Sequence, residues 1–311
     1  MRLHQVTAAA SAVLLGSLAL APVGAANANS VASTVTTAST VTAASVAACK
    51  MGVGSITSGG DIGYSGVMAS SPPTANQGTG PHLFVPGIAK ASSTWTTTLE
   101  VPAGSTTYGS VVLNETLYSA YYSDASGVPP TGLSKIGSGW TYFTATEVSF
   151  WQKVPGSTVI RSARYGLKGG SGDLYRWVGG GKGQAAPGFA AVKSIALISE
   201  TAAYDTFLAN TNGGALYTIR IPRTSPMKPI VTKVRTSTWG AFDALVAEKC
   251  GTQGTLLTAI DRDTGAAYLY AVGHAKGAST VIKGLGKVPG TYKDPVYYLS
   301  TAEGDPPLFG E

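Results

Sequence analysis

GDLYRW (172–177) decides the fold, because it returns, loosely, as ETLYSA (115–120), GALYTI (214–219) and AYLYAV (267–272). Each copy sets Leu beside Tyr shortly after a turn bearing Gly or Asn. Neighbouring side chains of a β-strand point to opposite faces, so the Leu packs between sheets while the Tyr stands on the other face. Gly and Asn are the residues that tolerate the tight turn from which such a strand starts. On this reading Tyr118, Tyr175, Tyr217 and Tyr270 are equivalent, with Tyr64 a displaced fifth. One strand made again and again marks a repeat architecture.

An aromatic landmark recurs with it: Trp95, Trp140, Phe189, Trp239 and Tyr292, roughly 45 to 53 residues apart, the length of a four-stranded propeller blade. Between landmarks the chain runs in short period-two segments separated by turns, as in GAFDALVAE, TLLTAID, AAYLYAV and STVIKGL after Trp239. With 40 Gly, 17 Pro and almost no helical signal, the fold class is all-β. In the second unit GGGKGQAAPG (179–188) offers no clear fourth strand. The last unit holds only PVYYLS (295–300) and PLFGE (307–311), while GGDIGYSGVMAS (59–70) and PHLFVPGIAK (81–90) supply matching segments at the other end. The expected architecture is a β-propeller of five four-stranded blades, the last completed by N-terminal strands, which removes open sheet edges.

The ends of the chain read differently. Arg2, the apolar run 7–21 and Ala26-Asn27-Ala28 make residues 1–28 a cleavable export signal, too short in its apolar part to cross a bilayer and stay there. Residues 29–48, rich in Ala, Ser, Thr and Val, lack charge and aromatics, so they read as a disordered spacer before a single domain over 49–311. The protein is expected to be secreted, without a membrane span, and monomeric. Its two cysteines, Cys49 and Cys250, favour one disulfide in an oxidising compartment, the alternative being two unrelated buried thiols. A net charge of +6 with no basic run argues against nucleic acid and leaves a mild attraction to anionic envelope polymers.

VPPTGLSKIGSGWTYF (128–143) resembles the repeat of the tachylectin family of five-bladed propeller lectins. Pro129-Pro130, Ile136-Gly137-Ser138-Gly139, Trp140 with Phe143, and Gly172-Asp173-Leu174-Tyr175 stand at the matching places. The resemblance extends weakly over most of 59–311, without the Asp-Asn-Trp element of the Pro-Pro loop. It implies the propeller fold and a lectin-like, multivalent binding of carbohydrate.

Stacking on a sugar plane needs flat aromatic faces with hydrogen-bond donors beside them, and the densest local supply is Trp151, Arg164, Tyr165, Arg176 and Trp177. Trp140 and Trp239, by their place in the repeat, read as core between blades. Catalytic signals are thin. Past the signal only His82 and His274 remain, which excludes a multi-histidine metal centre. Carboxylates for glycoside cleavage, among Glu147, Asp173, Asp205, Asp243 and Asp294, are scattered over the units. Gly179–Gln184 lacks the Ser/Thr and helix of a phosphate loop, and Asp261–Gly265 suits a hairpin turn better than a calcium loop. The reading is a non-catalytic binder of glycans or cell-envelope polymers needing neither cofactor nor metal. The alternatives are a polysaccharide-acting propeller enzyme with channel carboxylates and a protein-interaction scaffold.

Overall fold

The computed structural model describes residues 49–100, 103–154 and 156–311; the expected signal (1–28) and spacer (29–48) lie outside them. The chain is all-β. Three sheets are consecutive four-stranded antiparallel meanders. The second sheet holds β9 (Phe143–Gln152), β10 (Ile160–Lys168), β11 (Asp173–Trp177) and β12 (Gln184–Ala186), and the third β13 (Val192–Glu200), β14 (Tyr204–Thr211), β15 (Leu216–Pro222) and β16 (Ile230–Arg235). The fourth has β17 (Ala244–Cys250), β18 (Gly254–Asp261), β19 (Ala266–Val272) and β20 (Ile282–Val288). The fourth strand that the second unit seemed to lack is present as β12, shortened to three residues.

The two ends of the domain meet in one sheet. β21 (Val296–Ala302) pairs with β1 (Lys50–Ile56), Val53 opposite Leu299, followed by β2 (Asp61–Met68) and β3 (Thr74–His82). This composite sheet takes one strand from the C-terminal side and three from the N-terminal side, where the sequence suggested two from each. KMGVGSI (50–56) fills the second place because its alternate residues Met51, Val53 and Ser55 are buried. PLFGE instead runs to the third and fourth sheets: the Gly310 amide donates to the Ile198 carbonyl and the Ala275 amide to the Gly310 carbonyl.

The first sheet departs from the meander. Its opening strand is broken into β4 (Ala89–Ser92) and β5 (Trp95–Leu99), both pairing with β6 (Ser105–Leu113), which is followed by β7 (Thr116–Ser123) and β8 (Thr131–Ser138). β5 swings away to pair in parallel with β21, Trp95 opposite Ser300, and joins the first and composite sheets edge to edge.

Burial explains the sequence of each strand. The second strands of the third and fourth sheets are enclosed on both faces: TLLTAI of β18 is buried throughout. Fourth strands are exposed and carry Lys135, Lys233, Lys283 and Lys287, charges that discourage pairing of a free edge with another chain. Five apolar clusters fill the joins: first to second sheet, second to third, third to fourth, fourth to composite, and composite to first. The opening strands follow the same order, β4 against β9, β9 against β13, β13 against β17, β17 against β21, and β21 against β4.

The recurring Leu-Tyr strand now has its cause. Leu117, Leu174 and Leu216 are buried between sheets. The residue two positions before each offers its carbonyl to the amide of the next landmark aromatic, Glu115 to Trp140, Gly172 to Phe189 and Gly214 to Trp239, and Gly265 does the same for Tyr292. In the first sheet that landmark is Phe84, bonded to Gly60, and not Trp95; Trp95 stacks on Tyr298 at 5.6 Å inside the join to the composite sheet. Counted from Gly265, Tyr268 rather than Tyr270 is the equivalent tyrosine, a two-residue shift that keeps the face. Gly60 and Gly172 have positive φ, and a Cβ there would run into the Phe84 carbonyl and the Ala190 amide.

Cys49 and Cys250 form a disulfide with Cα atoms 5.5 Å apart, spanning 201 residues and tying the composite sheet to the fourth. Among the described residues no helix is long and apolar enough to cross a membrane.

Candidate functional site

The five residues singled out from the sequence divide between two faces of the second sheet. Arg164 pairs across the strands with Trp177, and Tyr165 with Arg176. Trp177 stacks on Tyr175, centroids 5.4 Å apart, and packs on Trp140 at 5.2 Å in the join to the first sheet. Arg164 shares that face, where burial lowers its pKa and Glu147 opposes the shift. On the opposite face, toward the third sheet, Tyr165 is buried and its hydroxyl donates to Asp205. Arg176, also buried, donates through Nη2 to the Thr224 carbonyl at 2.7 Å and to Gln184 at 3.1 Å. Trp151 lies opposite Arg161 on this second face, half-buried. The structure therefore does not gather the five into one exposed patch. Trp140 and Trp239 are buried between sheets.

A different constellation emerges where the opening strands begin. β4, β9, β13, β17 and β21 line a cavity of about 670 Å³ with their first halves. Such a volume lies in the range of small-ligand sites, ~300–1,000 Å³. Tyr142, 68% exposed, and Tyr297 stand on its wall with Lys90, Lys193, Asp243, Arg262 and Glu147. The position of each follows from the repeat, since Tyr142 belongs to the turn leading into β9, Asp243 to the one leading into β17, and Arg262 to the β18–β19 hairpin. Leu308 also joins the lining; its carbonyl accepts from the Glu200 amide at the far end of β13.

The charges at the mouth are already interlinked. Lys193 reaches Asp243 at 2.9 Å and also donates to the Gly240 carbonyl. The Arg262 amide donates to Asp243 at 2.8 Å, with its guanidinium 3.9 Å away. Asp243, Asp261 and Asp263 bring carboxylate oxygens within 4.8 Å of one another, and Asp243 is engaged by both Lys193 and Arg262. The Asp261 side chain accepts from the Thr264 amide, which lowers its pKa and closes the hairpin turn.

Deeper in, burial raises the pKa of Glu147. Its Oε1 accepts from the amides of Thr94 and Val148, both at 2.9 Å. Thr94 sits at the break between β4 and β5, so this carboxylate supplies the partner that the broken strand lacks. Glu200 repeats the arrangement one sheet on. It accepts from the Phe150 amide at 2.9 Å, and burial, reinforced by Asp205 and Glu147, pushes its pKa up to about 8. Opening strands expose amides toward their neighbours, and these acids cap them.

The remaining candidate acids lie off the cavity wall. Asp205 is locked against Arg161, Ser149 and Tyr165, Asp294 accepts from Ser55 at 2.6 Å, and Asp173 opens β11. His82 contacts Asp61 at 2.9 Å and His274 packs near Phe309, in separate places. Tyr142, Lys90 and Lys193 escaped the sequence reading because they lie on different units, and only convergence of the opening strands brings them together. No protein-family model matches the chain, and none of the curated proteins compared with it does either.

Proposed function

We propose that this chain is an exported five-bladed β-propeller that binds glycans or cell-envelope polymers, without cleaving them, in a cavity on its axis. The five-fold order of joins and the contacts among opening strands, which lead from β4 back to β4, support the propeller. The observation that carries the function is the cavity whose wall holds Tyr142 and Tyr297 together with Lys90, Lys193, Asp243 and Arg262. Aromatic faces suit the C–H side of a sugar ring, and the charged and polar groups beside them suit its hydroxyls. This moves the emphasis from several weak peripheral sites to one axial site.

A glycosidase needs one carboxyl free to give a proton and a second free to act as nucleophile or base. The Oε1 of Glu147 is held by two amides, and Asp243 is engaged by Lys193 and Arg262. Asp243 is thus committed to structure and, among the described residues, no second free carboxyl stands on the cavity wall beside Glu147, which favours binding over cleavage.

Retention of the purified protein on insoluble polysaccharides, with Tyr142→Ala beside it, tests the reading. The wild type should be retained by at least one polymer and leave it intact. Loss of the tyrosine face should weaken retention several-fold, because stacking contributes about 0.5–1.5 kcal/mol. Failure of a well-folded protein to bind any polymer, or full retention by the variant, sinks the proposal, and release of reducing sugar would favour the enzymatic alternative.

A further inference from the structure

We infer that the axial cavity is one end of a longer trough that takes an extended acidic polysaccharide, with Lys90 at the crossing. This rests on the glycan reading above and gives it a chain length and a charge. A second hollow of about 600 Å³ adjoins the cavity, lined by Lys90, Leu113, Asn114, Glu115, Thr116, Tyr118 and Thr141. Lys90 and Thr141 belong to both walls. Both are exposed, one a flexible chain and the other small, so the ridge between the hollows is low. A single sugar ring would leave most of either hollow empty, whereas a chain lying over Thr141 fills both.

The elements that build the second hollow are the turn between β6 and β7 and the one leading into β9. They are pinned to each other, since the Trp140 amide donates to the Glu115 carbonyl and the Asn114 amide to the Ile88 carbonyl just before β4. The trough is therefore framed by the same bonds that organise the repeat, and it lies ready before a ligand arrives.

Charge selects the ligand. Lys193 and Arg262 share the Asp243 carboxylate, whereas Lys90 has no ion-pair partner among the described residues, Glu115 on the same hollow included; its Nζ donates to the Gly87 carbonyl at 3.2 Å. With the Glu147 Oε1 taken up by the Thr94 and Val148 amides, the crossing presents a cation free to meet an anionic substituent on a sugar chain. Chains carrying carboxylate or phosphate share that chemistry.

Calorimetric titration with galacturonic acid, its trimer and its hexamer, against neutral malto-oligosaccharides of the same lengths, tests this. A glycerol-phosphate oligomer in a parallel arm separates phosphate from carboxylate. The acidic hexamer should bind about tenfold tighter than the monomer and than its neutral counterpart, the scale of one charge-assisted hydrogen bond. Lys90→Ala should remove that gain and Lys90→Arg retain it, while Thr141→Trp, filling the crossing, should reduce the hexamer to the affinity of the monomer. Melting curves check that each variant is folded. Equal affinity for monomer and hexamer, or hexamer binding indifferent to Lys90→Ala and Thr141→Trp, overturns the trough but leaves axial glycan binding standing. No binding to any acidic or neutral chain overturns both.

Discussion

Arg161 on β10 and Asp205 on β14 form an ion pair across the join of the second and third sheets, their side chains only 5% and 1% exposed. Ser149 and Tyr165 donate to the same carboxylate, and the Arg161 Nε–H reaches the Thr201 carbonyl at 2.9 Å. Such a network is costly to break on one side, because the group left behind remains buried and charged. Asp205→Asn should lower the unfolding free energy by about 3–5 kcal/mol, and the apolar set Arg161→Met, Asp205→Leu, Tyr165→Phe and Ser149→Ala, which leaves no buried donor behind, should restore most of it. Urea denaturation measures both; a loss below about 1 kcal/mol for the single change, the scale of an exposed pair, would refute the network's role.

The disulfide between Cys49 and Cys250 joins sheets whose pairing spans the whole domain. Replacing both cysteines by serine should destabilise by about 2–5 kcal/mol through greater freedom of the unfolded chain. Thermal melts under reducing conditions should lower the wild type to the midpoint of the double variant. A wild type insensitive to reductant would contradict this.

Acid in the interior has a signed consequence. Burial raises the pKa of Glu200 to about 8 and that of Glu248 to about 7, above the 4.5 of a free glutamate. The folded state therefore holds protons that the unfolded state releases, and the contribution of these two groups to stability falls as pH rises from near 4.5 through 8. Melting temperature should decline across that window, and Glu200→Gln should flatten the decline. A profile that rises steadily with pH would show that these carboxyls are ionised in the fold.

Two glycines of one turn separate conformational strain from packing. Gly170 and Gly172 both have positive φ, 80° and 69°, but a Cβ on Gly170 meets nothing while one on Gly172 meets Ala190. Gly170→Ala should cost about 1–2 kcal/mol, the left-handed penalty alone, and Gly172→Ala clearly more. Equal losses would mean that the Gly172–Phe189 bond does not order the join.

Strand periodicity and turn chemistry are local, so the all-β class and the Leu-Tyr strand were legible in the residues, while the Cys49–Cys250 pair followed from there being only two cysteines. The meeting of the two ends was legible too, from an incomplete last unit, although KMGVGSI, short and glycine-bearing beside a featureless spacer, escaped notice.

What alternation cannot say is which sheet each face of a strand will meet. Arg164 and Tyr165 are neighbours in sequence, yet one turns toward the first sheet and the other toward the third. A site expected from their adjacency was thereby divided, and its donors were taken up by Asp205, Pro222 and Thr224. Sequence by itself determined the repeated unit, because hydrogen-bonded turns and period-two burial involve residues close along the chain. The tertiary structure alone decided the cavity, because Lys90, Tyr142, Lys193, Asp243 and Tyr297 share a wall only when strands from all five sheets pack side by side.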